Sequence, residues 1–188
     1  MNQWWQMWKG YLTQLECDSL VSQGMRLPEQ DGVVGHGGQS RSDGSLRRSK
    51  VRWVHPTDQA FALTFHKLSS LFHQANNAAF GFDLNYLRSM QFTEYAAEYD
   101  GHYDWHEDLT WDKPGASHRK LSMVVQLSGA DSYVGGDLVL AKEPPEKQDL
   151  RVQGTVIVFP SFCSHKVEPL LSGVRYSLVA WYEGPKFR

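Results

Sequence analysis

The sequence predicts an α+β fold, with a β-rich body and helices that pack on it. Two helical patterns come first in the chain, and several short apolar runs follow residue 90. Helices followed by many short strands indicate an antiparallel sandwich or barrel. The chain shows no internal repeat and no linker. We therefore expect one domain over residues 1–188, with a helical and loop support (1–87) and a β-rich core (88–184).

The first helical signal is a capping box. Thr13 and Glu16 have the spacing at which two side chains satisfy free N–H groups at the start of a helix. The helix is expected to run to about Gly24, which would stop it. Four apolar residues upstream are expected to cover the flank of a sheet: Trp5, Trp8, Tyr11 and Leu12.

The second helical signal covers residues 58–80. Apolar side chains recur there at helical spacing, at Phe61, Phe65, Leu68, Phe72, Ala75 and Ala79. Thr57 or Asp58 is expected to cap the start, and Gly81 to end the helix. His66 and His73 also lie in this segment. We interpret both as surface or boundary residues rather than ligands.

After residue 90 the pattern favours strands. Apolar and β-branched runs occupy residues 91–99, 121–127, 138–140, 155–159 and 176–182. The polar stretch 143–149 is expected to be a turn.

Residues 35–45 are rich in Gly and Ser and are expected to form a flexible loop. A strand follows, in which Val51 and Trp53 share one face and Arg52 takes the other. The whole stretch 35–53 could form a lid over a site. A disordered surface loop with a solvated basic edge is the alternative.

Composition argues against several classes of protein. The net charge of −2 gives no reason to expect nucleic acid or an anionic membrane as a partner. No apolar run approaches the ~20 residues of a membrane span, and the N-terminus lacks the pattern of a signal peptide. The two cysteines, Cys17 and Cys163, are interpreted as free thiols of a reducing compartment. We therefore expect a cytoplasmic protein; its oligomeric state is not indicated.

The most informative stretch is 102–108, where possible metal ligands alternate at His102, Asp104, His106 and Asp108. Alternate side chains of a strand share one face, so these four would line one wall and Tyr103 and Trp105 the other. Two histidines and one carboxylate on one face of an iron ion form the arrangement of non-haem Fe(II) oxygenases. A solvated edge strand is the alternative, since His-x-Asp pairs arise easily by chance.

A second histidine must come from elsewhere, and the candidates downstream are His118 and His165. His165 follows an apolar strand and a short turn, which would hold it rigidly, whereas His118 lies in an expected loop. A ligand must be held rigidly, so we favour His165. Ten residues on, Arg175 lies in an apolar strand with Ser177 on the same face. A buried guanidinium needs an anionic partner, and a structural salt bridge is the alternative to a ligand.

Taken together, His106-x-Asp108, His165 and Arg175 resemble the Fe(II)/2-oxoglutarate-dependent dioxygenases, most of all the prolyl 4-hydroxylase group. The resemblance covers residues 88–184. It extends to Tyr95 and Tyr103, to the Gly135-Gly136-Asp137-Leu138 turn, and to the Arg175-Tyr176 and Trp181-Tyr182 pairs.

The resemblance implies a double-stranded β-helix, a jelly roll with helices on one side. It also decides between the overlapping His-x-Asp pairs. In the family a tyrosine precedes the metal histidine by three residues, as Tyr103 precedes His106. The implied iron ligands are therefore His106, Asp108 and His165.

In the family, an arginine at the position of Arg175 binds the distal carboxylate of 2-oxoglutarate. Tyr95 and Ser177 are the implied assistants. Gln126 is a further candidate contact, although it stands where some relatives have tyrosine. Three residues are candidates for the substrate pocket: Tyr103, Trp181 and Arg47.

The implied cofactors are Fe(II), 2-oxoglutarate and O2, with ascorbate as a further candidate. The implied reaction is hydroxylation of a peptidyl residue, first of all prolyl 4-hydroxylation of a peptide or protein that contains proline. An oxygenase of free amino acids or small metabolites stays an alternative, as does a non-catalytic jelly roll that binds a metal or an acid. A nucleic-acid demethylase is disfavoured because Trp181 stands where such enzymes usually place a second arginine.

Overall fold

A computed structural model describes residues 3–36, 39–112 and 115–188. In chain order its strands are β1 (Gln6–Trp8), β2 (Gln30–Asp31), β3 (Val34–His36), β4 (Gln39–Arg41), β5 (Arg47–Arg48), β6 (Lys50–Val54), β7 (Tyr86–Ala96), β8 (His102–His106), β9 (Ser117–Gln126), β10 (Tyr133–Gly135), β11 (Leu138–Leu140), β12 (Val156–Pro160), β13 (His165–Val167) and β14 (Leu170–Pro185). Its α-helices are α1 (Gln14–Gly24), α2 (Ala62–Ala75) and α3 (Lys147–Arg151).

Two antiparallel sheets form the body. The larger has eight strands in the order β1-β12-β9-β14-β7-β6-β2, with β10 beside β14, and the smaller has the order β11-β13-β8-β5. Strands β3 and β4 pair with each other in a separate two-stranded sheet. The α+β prediction with helices on one sheet is confirmed, and the strands expected after residue 90 are present.

Apolar side chains fill two cores, one on each face of the large sheet. Met123 and Val125 of β9 face the core shared with α1 and α2, and Val124 between them faces the core shared with the small sheet. Strands covered on both faces favour continuous apolar runs, as at 156–159 in β12 and 123–125 in β9. Burial of one large aliphatic or aromatic side chain contributes roughly 1.5–3 kcal/mol.

The first helix starts as predicted. The Thr13 hydroxyl accepts a hydrogen bond from the Glu16 backbone N–H (3.3 Å), and the Glu16 carboxylate accepts one from the Thr13 N–H (2.9 Å). Gly24 is the last helical residue, but it serves a different purpose from the predicted stop. A Cβ on it would lie 2.5 Å from the ring of Phe92, so glycine is needed for close helix–sheet packing.

The second helix ends as predicted, but its start was predicted wrongly. Gly81 adopts the left-handed conformation (φ 66°) that closes the segment after a π-helical turn at Asn76–Phe80. Helix α2 begins after a 3₁₀ turn at Gln59–Phe61, with no side-chain cap. The Asp58 carboxylate instead accepts from the backbone N–H of His55 (2.7 Å).

The expectation of a plain turn at 143–149 is wrong, because α3 begins inside this stretch. Its last residue, Arg151, donates to Asp137 (2.8 Å) and to the carbonyl of Gly135 (3.1 Å). Gly135 and Gly136 both have positive φ, and a Cβ on Gly135 would lie 2.3 Å from the Pro169 carbonyl oxygen. The Gly-Gly turn therefore depends on having no side chain.

Cys17 and Cys163 are both free, as predicted, and both are buried. Within the described ranges, no helix is long and apolar enough to cross a membrane.

Candidate active site

Three ligand-type side chains converge between the two sheets. One ligand atom from each of His106, Asp108 and His165 lies within 4.8 Å of the other two. The Nε2 atoms of His106 and His165 lie 3.9 Å and 3.7 Å from the two Asp108 carboxylate oxygens. Spacings of this size leave room for one ion among the three atoms.

A β-bulge in β8 selects His106 from the alternating run. His165 pairs with His106 and Val167 pairs with Tyr103, so three steps along β8 oppose two along β13. The extra residue reverses the alternation and brings Tyr103 to the face of His106. The expected single wall of four ligands is therefore wrong. His102 faces away, where its ring nitrogens contact the carbonyls of Asp100 (2.6 Å) and Ser45 (3.3 Å).

Backbone carbonyls orient both imidazoles. The Nδ1 of His106 lies 2.8 Å from the Asp104 carbonyl, and the Nδ1 of His165 lies 2.9 Å from the Cys163 carbonyl. An Nδ1–H donor leaves Nε2 as the lone pair that binds a metal. Burial, and then the neighbouring His165, lower the pKa of His106 to about 3. At neutral pH His106 is therefore already deprotonated, and a cation can bind to it without displacing a proton.

Asp108 is the acid of the cluster. Burial by itself would raise the pKa of its carboxyl, but His165, His106, Arg119 and the Ser122 hydroxyl outweigh burial and lower the pKa to about 2. The Ser122 hydroxyl donates to the Asp108 carboxylate at 2.6 Å. Asp108 is thus ionised and held in one orientation before any metal arrives.

Arg175 lies in β14, opposite Tyr95 in β7, and is 3% exposed. Its Nε donates to the Gln126 side-chain oxygen at 3.0 Å. No acid among the described residues forms an ion pair with it, so the salt-bridge alternative has no support. The terminal nitrogens of its guanidinium are left for an anion from outside.

Gln126 supports Arg175 from behind and does not line the cavity. Its side-chain nitrogen donates to the Ser128 carbonyl (2.9 Å) and the Tyr133 hydroxyl (3.1 Å). These two bonds fix the orientation of the amide, so its oxygen faces Arg175.

A cavity of about 820 Å³ joins the cluster to Arg175. The other predicted site residues all line it: Tyr95, Ser177, Tyr103, Trp181 and Arg47. Burial raises the pKa of Tyr95, which keeps its hydroxyl protonated as a donor. Arg47 is buried, with its guanidinium carbon 4.5 Å from the centre of the Tyr103 ring.

Sequence reasoning missed two neighbours of Asp108, namely Ser122 and Arg119. Both lie in β9, where a serine and an arginine within an apolar strand were the available signal. His118 was wrongly placed in a loop, since it is a buried residue of β9. It lines the cavity but is not in the three-ligand cluster.

The suggested lid lies only partly within the described residues, because positions 37 and 38 fall outside them. Strand β5 pairs with β8, and β6 pairs with β7. The edge is less solvated than expected, since Arg52 is 3% exposed and pairs with Glu29 and Glu94. Whether the stretch opens and closes stays a prediction.

Comparison with known proteins identifies the family. The family model described as the 2OG-Fe(II) oxygenase superfamily matches residues 90–183, which is half of the chain. The chain belongs to this superfamily. The matched range contains the three clustered ligands, Arg175 and most of the cavity wall, so the oxygenase family and the geometry point to the same residues.

Curated relatives of this chain include PKHD-type hydroxylases. One from Synechococcus sp. (strain CC9605) is 39% identical over 82 residues, which is 43% of this chain and 36% of the relative. One from Pseudomonas putida (strain W619) is 34% identical over 85 residues, which is 43% of this chain and 38% of the relative. The match thus spans little more than a third of these relatives.

Solved structures show the same fold over nearly the whole chain. A Pseudomonas putida prolyl-4-hydroxylase gives a TM-score of 0.68 at 21% identity, covering 97% of this chain and 94% of its own. A Trichoplax adhaerens prolyl hydroxylase, in complex with a hypoxia inducible factor peptide fragment, gives a TM-score of 0.77 at 17% sequence identity. This match covers 96% of the present chain and 84% of the Trichoplax chain. The antiparallel sheets thus form the jelly roll of these oxygenases.

The superfamily implies iron(II), 2-oxoglutarate and O2, and the residues fit these groups. Two imidazoles and one carboxylate suit a ferrous ion. The unpaired fork of Arg175 suits a carboxylate, as 2-oxoglutarate carries at its distal end.

Proposed function

We propose that this oxygenase hydroxylates proline in a peptide or protein, with 2-oxoglutarate and O2 as cosubstrates. One observation carries the proposal: the His106, Asp108 and His165 cluster shares a cavity with Arg175, a buried arginine that pairs with no acid in the described part of the chain. The likeness to prolyl hydroxylases, one of them holding a peptide, supports the choice of substrate. Residues 88–184 would carry the catalysis, supported by residues 1–87 within one domain.

Iron(II) would be held by His106, Asp108 and His165. When bound, it supplies the activation of O2 that is coupled to decarboxylation of 2-oxoglutarate and oxygen insertion into a C–H bond. The chain's part is to hold three ligands on one side of the ion and leave the cavity side open. The Asp108 carboxylate offsets half of the charge of the ion, and the Ser122 hydroxyl holds that carboxylate in place.

Arg175 would bind the distal carboxylate of 2-oxoglutarate through its terminal nitrogens. Gln126 holds the Nε side of the same guanidinium, which sets the direction of the fork. Tyr95 and Ser177 line the cavity near Arg175 and would add hydroxyl donors. Preorganised donors of this kind cost little reorganisation when the ligand arrives.

The substrate would enter beside Tyr103, Trp181 and Arg47. The rim also carries Trp105 and Trp111, which are 47% and 54% exposed. Exposed aromatic rings at a cavity rim are suited to apolar contact with a peptide. Ascorbate stays a prediction, as does a cytoplasmic location, which the two free buried thiols favour.

The test uses the full chain loaded with Fe(II) and labelled 2-oxoglutarate in air. We expect labelled CO2 to be released slowly without substrate and faster with proline-containing peptides, which gain one oxygen atom in mass. An Asp108→Ala variant should release none. Wild type that neither binds 2-oxoglutarate nor releases CO2 would point to a non-catalytic binding protein and end the proposal.

A further inference from the structure

Phe187 follows β14 and joins side chains from four separate parts of the chain. The centroid of its ring lies 5.3 Å from that of Phe82, 5.7 Å from Phe162, 5.9 Å from Trp111 and 6.1 Å from His118. Its plane meets those of Phe82 and Phe162 at 84° and 72°, the edge-to-face arrangement that aromatic pairs prefer. We call these five rings the aromatic cluster.

Strand β9 holds Phe187 in the centre of the aromatic cluster. The backbone N–H of Phe187 donates to the Nδ1 of His118 (3.3 Å), and the Nζ of Lys120 lies 3.5 Å from the centre of the Phe187 ring. Lys120 is buried, and an ammonium group that is withdrawn from water gains more from a ring face than an exposed one does. Phe187 is therefore fixed by two contacts that do not involve Trp111.

Trp111 is the ring through which the aromatic cluster reaches the rim of the cavity. It lines the cavity and is more than half exposed. Within the described ranges it has two aromatic neighbours, His118 (6.1 Å between centroids) and Phe187. An exposed side chain with few contacts loses rotamer freedom when a ligand fixes it, and this loss weakens binding. A ring that is already held in place avoids much of that cost.

The metal ligands, by contrast, have support that does not depend on Phe187. Phe162 of the aromatic cluster lies in the turn after β12, next to Ser161. The Ser161 carbonyl accepts from the N–H of Asp108 (2.9 Å), and the Ser161 N–H donates to the carbonyl of Lys120 (3.0 Å). Backbone hydrogen bonds thus fix this turn and the ligand beside it. Loss of the Phe187 ring should therefore act on the rim of the cavity rather than on the metal.

We propose that Phe187 is a positioning residue for the substrate. By holding Trp111 in the cavity wall, it prepares the face of the indole for apolar contact with the peptide. The inference rests on the proposed function. It assigns a part in peptide binding to a residue outside the range 90–183 that the family model matches.

A double-mutant cycle tests this role. The variants are F187A, W111A, the two together, and F187Y, which retains the ring. F80A is the matched control, because Phe80 stacks on Phe82 (6.1 Å) but has no ring contact with Trp111 in the described part of the chain. Calorimetry measures binding of two capped probes, an alanine pentapeptide with a central proline and a proline pentapeptide. The full chain is loaded with Fe(II) and 2-oxoglutarate without oxygen, so that no turnover occurs.

We expect F187A to weaken peptide binding about fivefold, as the loss of one aromatic contact predicts, while the affinities for iron and 2-oxoglutarate change by less than about twofold. In the W111A background the same substitution should change peptide affinity by less than about twofold, because the ring that Phe187 positions is gone. F187Y and F80A should bind the peptides as wild type does. F187L, which retains apolar volume without a ring, repeats the test if F187A does not fold.

Unchanged peptide binding in F187A would overturn the inference, as would an equal loss in the W111A background or in F80A. A parallel loss of iron affinity would assign Phe187 to the turn before His165 and would overturn it too. Wild type that binds 2-oxoglutarate but neither peptide would refute the peptide substrate, and the inference with it. Wild type that binds no 2-oxoglutarate would refute the proposed oxygenase itself.

Discussion

The ring of Tyr103 lies flat on the imidazole of His106, with 3.5 Å between ring centroids and 9° between the planes. Residues three apart in a regular strand would point to opposite faces, so the contact exists only because of the bulge in β8. The Arg47 guanidinium covers the Tyr103 ring at 4.5 Å. A metal-ligand candidate, a tyrosine and an arginine therefore form one stack.

This stack predicts that Tyr103→Ala weakens iron binding. The lost ring contact would cost about 1 kcal/mol, or roughly a fivefold weaker affinity, because His106 gains freedom to rotate. Tyr103→Phe retains the ring and should bind iron as wild type does. Competition with a chelator measures both. Equal affinities in all three proteins would mean that the Asp104 carbonyl alone holds the imidazole.

The Ser122 hydroxyl predicts a second effect on the metal. Ser122→Ala removes the donor to the Asp108 carboxylate, and loss of such a supporting bond typically weakens metal affinity roughly 10- to 100-fold. Ser132→Ala, at an exposed serine bonded to the Gly129 carbonyl, is the matched control. If both variants bind iron alike in titration, Ser122 is only a packing residue.

Arg175→Ala should weaken 2-oxoglutarate binding by several kcal/mol, roughly 2–5, while iron affinity stays nearly intact. Gln126→Leu should cause a smaller loss, about 1 kcal/mol, because it removes only the acceptor that directs the guanidinium. Calorimetry with Fe(II)-loaded protein measures both, with the exposed Arg88→Ala as control. A parallel loss of iron and cosubstrate in Arg175→Ala would indicate a folding role instead.

The pKa of His106 predicts how the metal-free protein responds to acid. Its pKa is lowered from 6.5 to about 3, so the unfolded chain binds this proton more tightly than the folded protein. The free energy of unfolding therefore decreases as the pH falls below 6.5. The contribution of His106 to this decrease is about 1.4 kcal/mol per pH unit. Asp108, lowered from 3.8 to about 2, adds a further loss below 3.8.

Denaturant unfolding at about pH 6 and about pH 5, with chelator present, measures this slope. His106→Gln lacks the titrating group and should show a shallower dependence than wild type. An identical slope in the two proteins would contradict burial as the cause.

Gly24 and Gly81 should respond differently to alanine. Gly24→Ala places a methyl group against Phe92, and overpacking of this kind costs roughly 1–3 kcal/mol. Gly81→Ala meets nothing within 4 Å, but its φ of 66° should cost about 1–2 kcal/mol of backbone strain. Adding Phe92→Leu to the Gly24→Ala variant tests the cause of the first effect. The second change should restore part of the free energy of unfolding only if the Phe92 ring clashes with the new methyl group.

The sequence by itself determined the local features and the kinds of ligand. These local features depend on residues that are close together in the sequence. They are the capping box at Thr13 and Glu16, the apolar stripe of α2 and the short apolar strands. The sequence favoured His165 because an apolar run and a turn precede it, and in the structure this histidine begins β13. The order of histidines, acid and arginine was sufficient to suggest the family.

Only the tertiary structure decided which side chains meet. The β8 bulge exists only because β8 pairs with β13. The hydrogen bond between Gln126 and Arg175 joins two residues that are 49 positions apart in the chain. The exposure of Arg119 to the cavity and its stacking on Trp181 depend on the same strand pairing. Sequence periodicity indicates which side chains share one face of a strand. Register and bulges depend on pairing with the neighbouring strand, whose residues are distant in the sequence.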